Sequence, residues 1–330
     1  MSTPALAAPI PSRTAASSAL AGTLTTYRVP LSIAVLCLLP WLLPSQALAV
    51  NVLIYGVLAV GYNLLFGYTG MLSFGHAAFF GAGAYITGIA IGRFGIPWFA
   101  AVPLGVLGGG VLAFVIGLLS TRTRGIYFSM VTLALAQLIY YAALQASSWT
   151  GGENGLRGFT VEKINLFGWT VNFLDPVNKY YVLLTFAAVA LWAVSRILNS
   201  PFGAAIEAIR ENERRARTCG FDVERTKLLA FTLSGLICAL AGTMSALHLA
   251  FVPLDLLHYQ TSGMIVMMTL LGGARSFFGP FVGALVFLLM EDVFSLWTSH
   301  WQIIVGTIFI IFVLFLPKGI WGTFLAKVIR

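Results

Sequence analysis

The charged residues of this chain are concentrated in one stretch. Of its 19 Lys and Arg and 11 Asp and Glu residues, eleven lie in SPFGAAIEAIRENERRARTCGFDVERTK, from Ser200 to Lys227. Pro201 suits a first helical turn and Gly220 a helix end, which predicts a helix of about four turns between them.

Opposite charges follow one another along this predicted helix at i,i+3 or i,i+4, in the pairs Glu207–Arg210, Glu211–Arg215 and Glu213–Arg217. A narrow apolar stripe remains, formed by Ile206, Ile209, Ala216 and Gly220. Such a helix belongs at an aqueous surface, either as a solvated connector or as a docking element for a soluble partner.

A second group of polar residues lies in glycine-rich, apolar sequence. Asn63, Ser73 and His76 fall within GYNLLFGYTGMLSFGHAAFFGAGAY, where Gly67 and Gly70 mark a break between two apolar runs. Polar groups at membrane depth usually face the inside of a helix bundle or an aqueous path, and transporters build sites from broken helices. The three polar residues are therefore candidates for a substrate pathway. Alternatively, they form hydrogen bonds between helices that the small residues allow to pack closely.

The remaining acidic, His and Cys residues give little support for an enzyme or an ion-coupled carrier. His248 and His258 flank Asp255 without the spacing of metal ligands, and we interpret them as interfacial residues of an external turn. The three cysteines show neither metal-binding nor disulfide spacing. Glu291 and Asp292, near the end of a short apolar run, are weak candidates for ion coupling. We expect no catalytic residue and no metal site.

The composition is that of a membrane protein. The 330 residues are 59% hydrophobic and 9% charged, whereas soluble proteins carry about 25% charged residues. Continuous apolar runs favour helices over a β-barrel, so we predict an all-α, polytopic helical membrane protein with about 8–10 transmembrane helices. The candidate spans lie near residues 31–48, 50–66, 71–92, 97–119, 126–146, 180–198, 228–251, 262–274, 277–293 and 302–317. The spans from 262 onward are short, and Gly272-Gly273 could instead mark a re-entrant pair.

The first thirty residues differ from the rest. Residues 1–30 are rich in Ala, Ser, Thr and Pro and are interpreted as a disordered tail, followed by a membrane domain over 31–330. The run LSIAVLCLLPWLL, with Ala47–Ala49 behind it, also resembles a secretory signal and its cleavage site. The long segment before this run and the apolar run after it favour an uncleaved first span.

The positions of Lys and Arg predict the orientation. If the loop of about residues 199–227, called here the charged loop, is cytoplasmic, then Arg28, Arg122 and Arg275 fall on the same side. The positive-inside rule then places the tail and both termini in the cytoplasm. These loops also explain the net charge of +8. No basic patch is interleaved with exposed aromatic residues, so we expect no nucleic-acid partner.

The longest external loop in this orientation covers about residues 147–179 and contains TGGENGLRG. Gly and Asn suit tight turns. The motif residues are Thr150, Gly151, Gly152, Asn154 and Gly155. The loop is either a simple connector or has a role of its own, since loops of about thirty residues are uncommon.

Five blocks in series resemble the M-type permeases of branched-chain amino-acid ABC importers, the LivM family. They are the Gly61–Tyr85 stretch, RTRGIYFSMVTLALAQ (122–137), TGGENGL (150–156), the Glu207–Gly220 stretch and LLGGARSFFGPFVGA (270–284). The resemblance extends from about residue 50 to 319. The block EAIRENERRARTCG also resembles the EAA loop of ABC-importer permeases, which forms a coupling helix in a cleft of the ATPase subunit. Glu207, Ala208 and Gly220 match that motif, whereas Ile209 replaces the usual second Ala.

The resemblance implies a permease subunit of an ATP-driven importer, in the bacterial inner membrane, for branched-chain amino acids. It further implies a related H-type permease, two cytoplasmic ABC ATPases that dock on the charged loop, and a periplasmic binding protein that delivers the solute. The chain has no GxxxxGK[ST] phosphate loop, so we expect ATP and Mg²⁺ to bind the partner ATPases and no cofactor to bind here. The candidate coupling residues are Glu207, Ala208, Arg210, Glu211, Arg214 and Gly220. A permease of a urea or short-amide importer is the closest alternative, and an ion-coupled secondary transporter is a more distant one.

Overall fold

The computed structural model describes residues 28–43, 45–161, 164–166, 169–171, 173, 175–298, 300–316 and 319–328. Its helices are, in chain order, α1 Arg28–Leu42, α2 Gln46–Asn63, α3 His76–Phe94, α4 Trp98–Ser120, α5 Ile126–Gln145, α6 Ser147–Thr150, α7 Pro176–Leu198, α8 Pro201–Glu211, α9 Glu213–Thr218, α10 Val223–Leu249, α11 Tyr259–Gly272, α12 Gly279–Ser295, α13 Trp301–Phe315 and α14 Gly319–Val328. A π-helical turn, Leu64–Thr69, extends α2, and 3-10 turns cover Gly152–Asn154 and Leu254–Leu257.

The helical membrane fold is confirmed. Within the described residues, seven helices are long and apolar enough to cross a membrane. They are Gln46–Thr69, α3, α4, α5, α7, α10 and the stretch Trp301–Phe324. The predicted range of about 8–10 crossings is reached if one or more of the shorter helices α1, α11 and α12 also cross.

Polar side chains mark where several helices begin. Ser45 precedes α2 and its Oγ accepts a hydrogen bond from the Leu48 amide at 3.1 Å. Asp175 does the same for the Val177 amide at the start of α7, at 3.1 Å, so this helix begins before the span predicted near 180–198. Asp222 accepts from the Arg225 amide at 3.1 Å at the start of α10. Each cap satisfies a backbone N–H that has no partner inside the helix.

The core of the bundle is built around α10, which packs against α2, α3 and α4. Small residues bring these helices together: a Cβ on Gly83 would overlap the carbonyl of Ala239, and one on Gly242 would overlap that of Phe80. Phe79 and Phe80 are fully buried. The glycine-rich stretch therefore belongs to an inner helix, as its composition predicts.

The first helix is tied to the rest of the bundle at its start. Arg28 Nε donates to Ser195 Oγ at 3.1 Å and its Nη2 donates to the Ser195 carbonyl at 3.0 Å. The guanidinium also lies over the ring of Phe277, 5.0 Å from its centroid. The predicted boundary at residue 30 is therefore slightly late, because α1 begins at Arg28. The rest of the predicted tail, residues 1–27, lies outside the described residues.

Two non-helical segments pack against the inner helices of the bundle. The first break, residues 70–75, joins the end of the π turn to α3, and its Phe74 amide donates to Thr132 Oγ1 of α5 at 3.2 Å. The second break, residues 250–258, joins α10 to α11. Its Leu257 lies against Gly81 of α3, where an added Cβ would overlap the Leu257 side chain. The turn predicted around His258 and Asp255 begins beside the external loop, where Val252 pairs with Leu156, and then folds back along α3.

The Gly272-Gly273 break is not the point of re-entry. It lies at the same end of the molecule as the π turn, because the Arg275 amide that follows it donates to Asn63 Oδ1 at 3.2 Å. Re-entry occurs before α11, whose Ser262 Oγ accepts a hydrogen bond from the Ala77 amide, at the start of α3, at 2.9 Å. Two helices, α3 and α11, therefore begin next to each other inside the bundle.

The long external loop has more structure than a connector needs. It contains α6, a 3-10 turn and a hairpin of β1, Ile164–Leu166, and β2, Trp169–Val171. The strands are antiparallel, with Ile164 opposite Val171 and Leu166 opposite Trp169. The loop ends at Asp175, where α7 begins, rather than at 179. Among the residues that the structure describes, these six are the ones that form the two paired strands.

The close packing of α3 and α10 can be tested at Gly242. Replacement Gly242→Val places side-chain atoms where the Phe80 carbonyl lies, so we expect a loss of about 1–3 kcal/mol or more in folding free energy. The measurement is thermal unfolding of the purified protein in detergent. Gly306→Val on α13 is the matched control, because no atom lies within 4 Å of its Cβ position. Equal unfolding temperatures for the two variants would contradict the packing described.

Candidate functional site

The charged loop forms two helices rather than the single helix predicted. Helix α8 ends at Glu211 and α9 begins at Glu213, because Asn212 between them has extended backbone angles, φ −159° and ψ 101°. Asn212 Oδ1 accepts a hydrogen bond from the Arg215 amide at 3.0 Å, so it acts as the N-cap of α9. Of the three predicted ion pairs, Glu213–Arg217 is present at 3.8 Å. The break at Asn212 removes the helical spacing on which the predicted Glu211–Arg215 pair depended.

The apolar side of the charged loop is buried against the bundle. Ile206 is fully buried in the main core, whereas Ile209 and Ala216 form a small separate cluster with Val223 at the start of α10. This confirms most of the predicted apolar stripe. Gly220 is the exception: it is exposed, and its φ of +90° ends the segment in the left-handed region.

The opposite side of the loop is exposed and charged. Two of the predicted coupling residues, Ala208 and Arg210, are half-buried. The other four are exposed, namely Glu207, Glu211, Arg214 and Gly220. The predicted coupling residues are therefore all at least partly accessible, and their role in coupling stays a prediction. We refer to these six residues together as the coupling face: Glu207, Ala208, Arg210, Glu211, Arg214 and Gly220. This surface carries both signs of charge.

Glu213 anchors the loop to the bundle, a role that the sequence reasoning missed. Its Oε2 accepts a hydrogen bond from Lys227 Nζ at 2.6 Å, and its Oε1 lies 3.3 Å from Arg124 Nη2 and 3.8 Å from Arg217 Nη2. The Lys227 side chain is only 11% exposed and that of Glu213 27%. A buried ammonium group needs a carboxylate partner. Lys227 at the start of an apolar helix was the sequence signal that could have revealed it.

The pKa of Glu213 follows from these contacts. Burial raises the pKa of the carboxyl, but the hydrogen bond and charge of Lys227, joined by Arg124 and Arg217, outweigh burial and leave the pKa below its ordinary value. A carboxyl whose pKa falls on folding stabilises the fold above its ordinary pKa. That stabilisation is lost as the pH falls through the pKa of the folded state.

Arg210 joins the charged loop to the first break. Its side chain packs on Gly70, where an added Cβ would lie 2.9 Å from Arg210 Cγ. Gly70 also has a φ of +79°, which a larger residue would adopt only with strain. A cavity of about 640 Å³ lies beside this contact and is lined by the first break, the start of α5, and Arg210, Glu213 and Lys227. Movement of the charged loop would therefore reach the first break directly.

Two of the predicted pathway residues, Asn63 and Ser73, make hydrogen bonds within the bundle. Asn63 Nδ2 donates to the Ser276 carbonyl at 2.9 Å, and its Oδ1 accepts from the Arg275 amide. The side chain thus ties the end of α2 to the turn between α11 and α12. Ser73 Oγ accepts from the Gly75 amide at 3.1 Å, which shapes the first break. Both residues are buried.

His76, the third predicted pathway residue, is also fully buried, at the start of α3. Its Nε2 lies 2.9 Å from Ser234 Oγ, whose hydroxyl donates to the Gly61 carbonyl at 2.6 Å. Because that hydroxyl has one proton, Nε2 must be the nitrogen that carries hydrogen. The ring makes edge contacts with Tyr62 and Phe79, at centroid distances of 4.9 and 5.4 Å. None of the three residues lines the 640 Å³ cavity, so their pathway role stays a prediction.

The external-loop motif closes onto the second break. Thr150 Oγ1 donates to the Ala143 carbonyl at 2.6 Å and accepts from the Gly152 amide at 3.2 Å. Gly151, Gly152 and Gly155 all have positive φ, as tight turns require. The next residue, Leu156, pairs with Val252 through two backbone hydrogen bonds of 2.9 and 3.0 Å. Asn154 is exposed. The motif therefore holds the start of the second break in place.

The sequence matches one family over most of its length. A family profile described as the permease component of branched-chain amino acid transport systems covers residues 46–314. The chain belongs to this permease family. No solved structure matches the chain.

Individual relatives agree with this assignment. The permease is 28% identical over 297 residues to LivM, the permease protein of the high-affinity branched-chain amino acid transport system of Salmonella typhimurium. The matched region covers 84% of this chain and 69% of LivM. LivM of Escherichia coli is 27% identical over 294 residues, or 83% and 69% of the two chains. A probable branched-chain amino acid permease LivH from Methanocaldococcus jannaschii is 24% identical over 269 residues, or 78% and 81%. The LivM resemblance predicted from the five sequence blocks is confirmed.

The role of Glu213 as an anchor of the permease can be tested by Glu213→Gln. The change leaves the buried Lys227 ammonium group without its carboxylate, so we expect a loss of about 1–3 kcal/mol at neutral pH. The measurement is thermal unfolding in detergent between pH 7 and pH 4. The difference from the wild type should begin to shrink as the pH falls below the ordinary value of 4.5, where the carboxyl of the unfolded protein becomes protonated, and should shrink further towards the lowered pKa of the folded state.

Glu211→Gln serves as the control for this experiment, because Glu211 is exposed on the neighbouring turn. It should unfold like the wild type at each pH. A Glu213→Gln protein as stable as this control at pH 7 would show that the anchor contributes nothing.

Proposed function

We propose that this permease is the M-type subunit of an ATP-driven importer that carries branched-chain amino acids across the bacterial inner membrane. A related H-type permease would complete the channel, two cytoplasmic ABC ATPases would supply the energy, and a periplasmic binding protein would deliver the solute. The permease family and the likeness to both LivM and LivH proteins support this proposal. ATP and Mg²⁺ would bind to the ATPases.

The observation that carries the proposal is the structure of the charged loop. A loop that served only as a connector would need solvation, but not a buried anchor. Here Ile206 and Glu213 fix one side to the bundle, while Glu207, Glu211 and Arg214 are left exposed on the other. A rigid, charged surface of this kind suits a soluble partner that moves, because a force on it is passed to the bundle.

The distribution of basic residues supports a cytoplasmic position for the charged loop. Arg28, Arg124 and Arg275 contact the end of the bundle that carries this loop, while Arg93 and Lys179 bind at the opposite end. Arg93 donates to the Ser148 carbonyl, and Lys179 Nζ donates to the His248 carbonyl at 3.2 Å. By the positive-inside rule the loop end faces the cytoplasm, and both termini lie there in this proposal.

Docking on the coupling face can be tested by Glu207→Lys. Since Glu207 is exposed, the fold should survive, while the reversed charge should lower the affinity for the ATPases at least about tenfold. The measurement is co-purification of the permease with tagged ATPases, together with ATP-driven uptake. The matched control is Glu153→Lys in the external loop, another exposed Glu, at the opposite end of the bundle. ATPase binding that is unchanged in Glu207→Lys would contradict docking at this face.

The solute is tested separately by uptake into vesicles that hold the assembled importer and its binding protein. We expect ATP-dependent accumulation of leucine, isoleucine or valine, and competition among the three, because a pocket for one apolar side chain discriminates weakly against another that differs by a methylene group. Urea should neither accumulate nor compete. Accumulation of urea alone would favour the short-amide alternative, and uptake by the permease without ATPases would favour an ion-coupled carrier.

A further inference from the structure

The second break carries polar residues deep into the bundle. Leu257 lies beside Gly81, about 20 Å of helix away from the external end of α3 at Phe94. The Asp255 carbonyl accepts hydrogen bonds from the His258 amide at 3.0 Å and from Thr261 Oγ1 at 2.8 Å. Since Thr261 neighbours Ser262, which binds the start of α3, Asp255 also lies within the bundle rather than above it.

These residues are not covered by the rest of the chain. Asp255 and Gln260 are exposed, and Tyr259 is 44% exposed. None of the ion pairs among the described residues includes Asp255. A carboxylate at membrane depth is costly in lipid and normally faces water or a partner. Irregular backbone at this depth is likewise tolerated only inside protein or along a water-filled cavity.

Helix α5 adds aromatic groups to the same surface. The Tyr140 ring lies 5.2 Å from that of His258, which in turn lies 4.4 Å from that of Tyr259. Tyr140 is about 8 Å along α5 from its external end at Gln145, and its contact with His258 places it beside the end of the second break. Tyr141 beside it is 58% exposed. The face of an aromatic ring attracts cations, as does the negative charge of a carboxylate.

We propose that Asp255, Tyr140, His258, Tyr259 and Gln260 form a wall of the transport pathway, and that Asp255 receives the ammonium group of the passing amino acid. The wall faces a water-filled space that the second permease completes. The identity of the solute in this inference rests on the proposed function, whereas the water-filled space and the attraction of cations do not. It places the pathway outside the buried cluster of Asn63, Ser73 and His76.

The wall can be tested by cysteine labelling of the assembled importer in nanodiscs, which leave both sides accessible. Cys37, Cys219 and Cys238 are first replaced by Ser, and Tyr259→Cys is then treated with a cationic trimethylammonium or an anionic sulfonate methanethiosulfonate reagent. Thiols react as thiolates, which form in water and not in lipid. We expect Tyr259→Cys to react at least about tenfold faster with the cationic reagent than with the anionic one, owing to the nearby carboxylate. Asp255→Asn should remove that preference.

Val111→Cys on α4 is the matched control, because Val111 is 63% exposed in an apolar helix and should face lipid. Slow labelling of Tyr259→Cys, equal to that of Val111→Cys, would overturn the inference. So would labelling in the isolated permease that disappears in the assembled importer both with and without ATP, because the surface would then be a contact between permeases.

Transport gives a second measurement. Asp255→Asn should lower amino-acid uptake about tenfold while Asp255→Glu keeps most of it, and both should still co-purify with the ATPases. Equal uptake by Asp255→Asn and the wild type would overturn the role in ammonium binding. A cationic preference in labelling together with transport of urea alone would instead contradict the proposed solute and leave the cation-attracting wall in place.

Discussion

The structure of this permease depends on the need to satisfy every backbone N–H and C=O group inside the membrane, where no water is available. Helices do this by themselves, but the two breaks do not. The first is held by Thr132, which accepts from the Phe74 amide. At the second break, Leu156 pairs with Val252 through backbone hydrogen bonds. Just after this break, Ser262 Oγ accepts a hydrogen bond from the Ala77 amide at the start of α3. Each break is therefore held by hydrogen bonds to other segments of the chain, so it connects parts of the bundle that are distant in sequence.

This requirement places the first break in the path between the charged loop and the interior. Arg210 packs on Gly70 at one end of the break, and His76 binds Ser234 just beyond the other end. The segment between them is not helical and borders a cavity of about 640 Å³, whereas the helices on both sides are closely packed. A displacement of the charged loop would thus act on the one part of this region that is free of helical hydrogen bonds. His76 and Asn63 act in this arrangement as fixed points of the bundle.

Hydropathy and charge were sufficient to predict the long helices and the charged loop. The sequence did not predict features that depend on how deep a segment lies in the bundle. Apolar length located the long helices, and the clustering of charge located the coupling face. The second break was interpreted as an external turn because AFVPLDLLH is a plausible turn by composition. Its depth is set by Gly81 and Ser262, which are distant in sequence. The helix predicted across Asn212 failed for a local reason: a side chain that caps the following helix competes with helix continuation. Glu213 was missed since its main partner, Lys227, lies beyond the end of its own helix.

The two faces of the charged loop explain why so many charged residues are concentrated in one segment. A docking surface must remain charged and exposed in the free permease, yet it must not detach from the bundle when a partner moves it. Apolar burial of the loop is provided by Ile206 in the main core and by the three-residue cluster of Ile209, Ala216 and Val223. The ion pair of Glu213 with Lys227 adds a directional bond at the point where the loop returns to α10. Charge therefore serves two purposes within one short stretch: some residues attach the loop to the membrane-spanning body, and others remain exposed as the proposed docking surface.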